Sequence, residues 1–204
     1  MSSARLFASA LALSLVSASA FADTTVYTSS SSFLADAGAS IYTETFDGLD
    51  ETPEGPMGFS SGAFSYDISA PGYTYASGDF LGTSLPNEAL TISFLSGNVY
   101  AVGGNFFAVN LSDAFQSVQI SLSLSDGTTV SFTPTSQSDS FRGFVSDTAI
   151  TSLTIGAPGV SLYGSVDNLT VGIGAAAVPE PASWALAALG LVGVAAAVRR
   201  RLDA

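Results

Sequence analysis

The middle of the chain alternates between polar and apolar positions. The apolar positions of residues 117–124 are Val118, Ile120, Leu122 and Leu124. Because successive side chains of a strand point to opposite faces, these four would form one apolar face. Residues 128–133 repeat the pattern, with Val130 and Phe132 apolar. The pattern predicts two half-buried strands.

A short loop, 125–127, separates these two strands and ends in glycine. A two-residue turn would place the two apolar sets on opposite faces of the hairpin. A three-residue loop with its glycine in the left-handed conformation pairs Leu122 with Val130. The same register pairs Ile120 with Phe132. We therefore predict the three-residue loop, because it gives both strands the same buried face.

Short runs of this kind recur after about residue 40, separated by Gly, Pro, Asn and Asp, with the period of strands. The further predicted strands are residues 42–46, 59–66, 90–94, 99–109, 150–155 and 167–173. Gly103 and Gly104 lie inside one of these runs and predict a bulge or bend there. A helix is predicted at 32–37, which begins with Ser and is followed by Gly38. The spacing predicts an all-β fold, a two-sheet sandwich over residues 23–173.

The first segment of the chain has the pattern of a secretory signal peptide. Residues 1–22 carry one charge, Arg5, before an apolar stretch that ends in small residues. Cleavage after Ala20 or Ala22 fits this pattern, and we favour Ala22. The apolar stretch is too short for a membrane-spanning helix. We therefore expect signal peptidase to remove residues 1–22 during export.

The last segment of the chain predicts a membrane helix. Residues 182–198 are uncharged and apolar, and a helix of these 17 residues reaches about 25 Å, enough to span a thin bilayer. A tether of small residues, 174–177, precedes this segment. The basic residues after it are Arg199, Arg200 and Arg201. Since arginine favours the cytoplasmic side, we expect the body of the protein outside the cytoplasm.

A short motif lies between the tether and the predicted membrane helix. Its residues are Val178, Pro179, Glu180 and Pro181. Followed by an apolar helix and an arginine cluster, the motif resembles the PEP-CTERM sorting signal, here over residues 178–204. The resemblance implies recognition by an exosortase, a membrane-embedded cysteine peptidase-like enzyme of bacteria that export polysaccharide. It also implies cleavage near the motif, after which the body is released or transferred.

The composition restricts the chemistry that the body could perform. The chain has no cysteine, histidine or lysine. This excludes disulfides, thiol chemistry, an imidazole base and a Schiff-base amine. Catalysis would need carboxylates, hydroxyls or tyrosine. We therefore expect a protein that is not an enzyme.

The charge of the body is strongly negative. Of 17 acidic residues, Glu180 and Asp203 lie outside it, which leaves 15 against Arg142. This balance argues against nucleic-acid binding, because phosphates are neutralised by Lys and Arg. It is compatible with a divalent cation as a partner. It is equally explained by the solubility that net charge gives to an exported protein.

The body carries two further motifs, Thr45-Phe46-Asp47-Gly48 and Asp167-Asn168-Leu169-Thr170-Val171-Gly172. This pair resembles a recurrent PEP-CTERM ectodomain type and jelly-roll carbohydrate-binding modules. The resemblance implies a jelly-roll-like sandwich with neighbouring first and last strands, where acidic residues hold a structural calcium. Glu44, Asp47 and Asp167 are the predicted ligands, since calcium prefers oxygen. The alternative is that Asp47 and Asp167 bind their own backbone in turns.

Tyr73 and Tyr75 are the predicted glycan-binding residues. They would share a face if the segment is extended, and exposed aromatic rings stack on sugar rings. The alternative is that both belong to the core or to cross-strand pairs. A glycosidase that acts through two carboxylates is a third possibility, although the sequence singles out no pair.

These features together predict an exported protein that exosortase sorts to the cell surface or the extracellular space. The C-terminal helix would hold it in the inner membrane for a limited time. Its predicted role is structural or adhesive, in an exopolysaccharide or biofilm matrix. A carbohydrate-binding module is the alternative, and no cofactor other than calcium is expected.

Overall fold

A computed structural model describes residues 22–174, which form two antiparallel sheets and one helix. In chain order the elements are β1 (Thr24–Tyr27), α1 (Ser30–Asp36), β2 (Ile41–Glu44), β3 (Asp50–Glu51), β4 (Met57–Ser61), β5 (Phe64–Ser69), β6 (Thr74–Ser77), β7 (Leu81–Thr83), β8 (Leu90–Phe94), β9 (Ala101–Val109), β10 (Phe115–Gln116), β11 (Ile120–Leu124), β12 (Thr129–Phe132), β13 (Phe141–Ser146), β14 (Ser152–Ile155) and β15 (Tyr163–Gly172). The predicted all-β class is confirmed. The predicted signal peptide, sorting motif and membrane helix lie outside the described residues.

The two sheets form a sandwich. The first sheet has the order β1-β13-β9-β15-β7-β6-β3, with β2 beside β15 and β10 beside β9. The second has the order β12-β11-β14-β8-β5-β4. One core lies between them, with Ile92 and Leu122 from the second sheet against Phe106 and Val166 from the first. The sandwich is therefore confirmed, whereas its likeness to a jelly roll stays a prediction.

The hairpin of β11 and β12 has the predicted register. Leu122 pairs with Val130, and Ile120 pairs with Phe132. Gly127 has a φ of 91°, and its N–H donates to the carbonyl of Leu124. The alternation and the loop glycine were thus sufficient to predict this element.

Other predicted boundaries need correction. The run 59–66 is not one strand, because Gly62 turns the chain with a φ of 57° and the run becomes the hairpin of β4 and β5. The predicted helix 32–37 is α1, which begins two residues earlier. The predicted last strand begins at Tyr163 rather than at residue 167. The short strands β3, β7 and β10, and the longer β1, β6 and β13, were not predicted.

The strand β15 organises the first sheet. One edge pairs with β9 along its whole length, and the other pairs with β7 in its first half and with β2 in its second half. The register shifts between Asp167 and Thr170, where Asn168 has a φ of 52°. The extra residue lies opposite Gly104. The predicted irregularity is therefore present, but the bulge is in β15 and not in β9, the strand that contains Gly103 and Gly104.

The glycines of β9 and β13 have another role, which is to seat the helix on the outer face of the first sheet. Gly103 and Gly143 are cross-strand partners, and the fully buried Phe33 of α1 lies against them. A Cβ at Gly143 would lie 2.6 Å from the Phe33 ring. Ala37, Ala101 and Phe141 complete this small apolar cluster.

Candidate functional sites

Two of the predicted calcium ligands, Glu44 and Asp167, lie on neighbouring strands but on different faces, and Asp47 lies in the turn after β2. Glu44 of β2 pairs with the buried Leu169 of β15, as the predicted strand neighbourhood requires. Its side chain is therefore on the core side, where its charge acts on the phenol of Tyr66. Asp167 pairs with Asn105, whose neighbour Phe106 is in the core, so Asp167 is on the outer side. The structure does not bring Glu44 and Asp167 together.

Both carboxylate oxygens of Glu44 accept hydrogen bonds from residues close to it in the chain. The hydroxyl of Tyr42 donates to one carboxylate oxygen, and the N–H of Phe46 donates to the other at 3.1 Å. Burial, followed by this hydrogen bond, raises the pKa of Tyr42 to about 12. Phe46 is fully buried with a φ of 58°. Glu44 thereby holds a strained turn that inserts a phenylalanine into the core.

Asp167 is on the wall of an open groove of about 740 Å³ that also contains Asn105 and Gln137. Both of its oxygens accept hydrogen bonds from Asn168, at 2.6 Å from the backbone N–H and 2.7 Å from the side-chain amide. Burial raises the pKa of Asp167 to about 6; the Asn168 N–H opposes this rise, and the charges of Asp47 and Asp79 add to it. This turn, in which Asp167 accepts hydrogen bonds from the next residue, is the alternative that the sequence left open.

No group of three or more acidic side chains among residues 22–174 is arranged to hold a metal ion. Asp47 and Asp79 nevertheless act on Asp167 through their charges. Their loops are joined by a hydrogen bond of 2.9 Å from the Gly48 N–H to the Gly78 carbonyl. Calcium binding therefore stays a prediction.

The two predicted glycan-binding tyrosines have different surroundings. Tyr75 lies in β6, and its ring contacts Phe80 edge-on at 6.5 Å between centroids. Its hydroxyl donates to Asp113 at 2.9 Å. Tyr73 precedes the strand and is 45% exposed. Of the two, Tyr75 is the one that lines a pocket.

That pocket, which we name the aromatic groove, has a volume of about 360 Å³ and lies on the outer face of the first sheet. Its lining includes Tyr75, Phe80, Ser84, Asp113, Tyr163 and Ser165. Behind the ring of Phe80 lies Phe107 at 5.5 Å, and Phe115 lies 6.5 Å further on. These rings form an apolar cluster of their own, separate from the core. The groove is thus a small site with a rigid aromatic base.

Three hydroxyl groups that line the aromatic groove have no hydrogen-bond partner. They are the Oγ1 atom of Thr83 and the Oγ atoms of Ser84 and Ser165, and all three are shielded from solvent. Ser165 is fully buried and pairs with Phe107 on one side and Gly82 on the other. A Cβ at Gly82 would lie 2.8 Å from Ser165 Oγ, so the glycine leaves room for this hydroxyl.

The loop between β9 and β10 places Asp113 at the rim of the aromatic groove. The side-chain oxygen of Asn110 accepts from the N–H groups of Ser112 and Ala114, at 2.9 and 3.1 Å. Asp113 has a φ of 57°, and Leu111 is 84% exposed. The loop is therefore held by its own hydrogen bonds, with its apolar side chain in solvent.

Sequence reasoning missed most residues of the aromatic groove. The predicted last strand began at residue 167 and therefore did not include Tyr163 and Ser165. Asp113 follows Asn110 between two apolar runs, which is a turn signal without indication of a site. Tyr163 and Tyr75 come together through the pairing of β15 with β7 and of β7 with β6. A prediction of this pairing would have been needed to find Tyr163.

Comparison with known proteins concerns the C-terminal segment. Residues 177–201 match the family model described as the PEP-CTERM protein-sorting motif. This match contains Pro179, Glu180 and Pro181, and extends to Arg201. It supports an exported protein that an exosortase recognises. No curated protein and no solved structure matches the chain.

Among residues 22–174, no helix is long and apolar enough to cross a membrane. The predicted span 182–198 lies outside that part of the chain.

Proposed function

We propose that this protein is cargo of an exosortase, displayed at the cell surface or in an extracellular polysaccharide matrix, where its sandwich has a structural or adhesive role. The observation that carries the proposal is the match of residues 177–201 to the sorting motif. The absence of cysteine, histidine and lysine supports a role other than catalysis.

The position of the chain exit supports display. The described chain leaves the sandwich at Gly174, whose N–H donates to the carbonyl of Ala37 at 3.0 Å. The aromatic groove lies at the other end of β15, at Tyr163. Ten residues of strand separate the two ends by about 30 Å. An adhesive surface at the groove would therefore face away from a membrane that held the C-terminal segment.

The sorting part of the proposal has a direct test in intact-mass analysis of the exported protein, in cells with and without the sorting enzyme. We expect cleavage near the motif in the first case and a retained C-terminus in the second. Replacing Glu180 with alanine should reduce processing. Glu54 is exposed within the Pro-Glu-Gly-Pro segment 53–56, so Glu54→Ala is the matched control. Unchanged processing of Glu180→Ala would contradict recognition through this residue.

A carbohydrate-binding module is the alternative, and the aromatic groove with Tyr75 favours it. Tyr73 stays a predicted contact at the surface nearby. Loss of glycan binding in Tyr73→Ala and Tyr75→Ala would support this function. A carboxylate glycosidase is the third candidate, and turnover of a polysaccharide that one Asp or Glu substitution abolishes would be needed to support it.

The proposal retains a structural calcium as a separate prediction. Calcium bound through Asp47 and Asp167 would raise the melting temperature, and Asp167→Ala would remove that rise. Calcium that leaves the melting temperature of the unchanged protein where it was would contradict the site. Glu44 would contribute only after its bonds to Tyr42 and Phe46 are broken.

A further inference from the structure

We propose that the aromatic groove binds an uncharged sugar chain, with Tyr75 and Tyr163 as the stacking surface and the buried hydroxyls of Ser84 and Ser165 as hydrogen-bonding groups. This inference deepens the proposed display in a polysaccharide matrix and rests on it for the source of the glycan. It assigns the binding to a site assembled from β6, β7, β15 and the loop between β9 and β10.

The aromatic part of the groove suits the apolar face of a sugar ring. Tyr75 and Tyr163 are partly buried, so each keeps some ring surface accessible in the groove. Phe80 and Phe107 lie behind them and are almost fully buried. Aromatic rings fixed in this way bind without loss of side-chain freedom. The volume of about 360 Å³ is small for a ligand site and suits a short stretch of chain.

The unpartnered hydroxyls point to a polar ligand. A buried hydroxyl without a partner is unfavourable, and natural proteins contain few of them. Ser165 is fully buried, lines the groove and pairs with Gly82 and Phe107 in the sheet. Each serine could both donate to and accept from a sugar hydroxyl. A purely apolar ligand would leave both serines unsatisfied.

The charge of the groove selects against anionic sugars. Asp113 lies at its rim, and its carboxylate accepts a hydrogen bond from Tyr75. Arg142, the only cation between residues 22 and 174, lies 3.7 Å above the ring of Phe132 and does not line the groove. No positive charge in that part of the chain is thus available for a uronate, sulfate or phosphate. An uncharged glycan is the class that fits.

The test uses the full chain, purified in a detergent without a sugar headgroup, on a glycan array. The array should contain neutral oligosaccharides of glucose, mannose, galactose and N-acetylglucosamine, with oligogalacturonate as the anionic comparison. We expect binding to one or more neutral chains and at least tenfold weaker binding to oligogalacturonate. Tyr163→Ala should weaken binding about tenfold.

Ser165→Ala separates binding from folding. Because its hydroxyl has no partner, its removal should leave the melting temperature unchanged or raised, while glycan binding weakens about threefold or more. Ser96 also has a buried, unpartnered hydroxyl but lies outside the groove. Ser96→Ala is therefore the matched control, and it should bind as the unchanged protein does.

Two results would overturn the inference. One is an array on which no neutral glycan binds. The other is binding that survives both Tyr163→Ala and Ser165→Ala. Sorting is measured independently, because the groove variants should be exported and processed normally. Unchanged processing of Glu180→Ala would overturn the sorting proposal and leave glycan binding at the groove untouched, so the two proposals fail separately.

Discussion

At the scale of single residues, Asp167 shows how one side chain serves a turn at an electrostatic cost. Its carboxylate accepts two hydrogen bonds from Asn168, which is in the left-handed conformation at the bulge of β15. The same bulge buries the carboxylate near Asp47 and Asp79, and its pKa rises to about 6. The carboxylate of Asp167 thus hydrogen-bonds the residue at the bulge, although burial disfavours its negative charge.

Asp167→Asn should reveal this cost as a dependence of stability on pH. The carboxyl titrates near 3.8 when unfolded and near 6 when folded, so the folded state binds more protons between these values. Rising pH therefore lowers the free energy of unfolding over this interval. Relative to the unchanged protein, Asp167→Asn should gain about 1 kcal/mol from pH 4 to pH 7, after allowance for solvent screening. Urea unfolding at both pH values measures this gain.

The comparison is made as a difference because other carboxyl groups titrate in the opposite sense. Hydrogen bonds from Thr135 lower the pKa of Asp139. Protonation of Asp139 as the pH falls therefore lowers the free energy of unfolding of the protein. These contributions are present in both proteins and cancel. A variant whose difference from the unchanged protein stays constant between pH 4 and pH 7 would contradict the role of Asp167.

At the scale of elements, the helix α1 depends on a surface without side chains. Gly103 and Gly143 pair across β9 and β13, and Phe33 lies on both. Tyr27 and Phe141 surround the same ring at 6.1 and 5.8 Å between centroids. The helix has 7 residues, too few to be stable alone, so this contact fixes it on the sheet.

Gly143→Ala should therefore destabilise the protein by about 1–3 kcal/mol, the usual cost of overfilling a packed interior. Thermal or urea unfolding measures it. Gly164 of β15 is a matched control in the same sheet, because a Cβ there would have no neighbour nearer than 3.7 Å. Gly164→Ala should change stability little. Equal effects of the two substitutions would show that helix seating is not the cause.

The same elements show why sequence predicted some of the fold and missed the rest. The hairpin of β11 and β12 has one buried face, a long alternating run and a loop glycine, all of which are local signals. The strand β13 has buried residues on both faces, because α1 covers its outer side. That cover is a tertiary effect, and it breaks the alternation. Strands of two or three residues, such as β7, carry no period at all.

The sites follow the same division. Tyr75 was predicted because two tyrosines stand close together in a loop-rich segment. Tyr163 and Asp113 join it only through the pairing of β15 with β7 and the loop after β9, over separations that no local pattern records. The face of Asp167 depends on a tertiary feature of the same kind. The bulge of β15 leaves Asp167 on the outer face while Leu169, the partner of Glu44, is in the core.

At the scale of the whole molecule, the predicted membrane helix 182–198 and the arginines after it predict one orientation of the sandwich relative to the membrane. The chain leaves the sandwich at Gly174, 3 residues before the matched segment 177–201 begins. The arginine cluster at 199–201 favours the cytoplasm. The sandwich, with 15 acidic residues and Arg142, would then be on the opposite side.

Cysteine labelling measures this orientation cleanly, because the chain has no cysteine of its own. In cells that lack the sorting enzyme, Ser138→Cys in the exposed part of the sandwich should react with a membrane-impermeant maleimide once the outer envelope is opened. Ala204→Cys should react only after the inner membrane is permeabilised. The unchanged protein should give no label under either condition. Labelling of Ala204→Cys without permeabilisation would mean that the arginine cluster does not hold the C-terminus in the cytoplasm, and that the motif is presented to the sorting enzyme in another way.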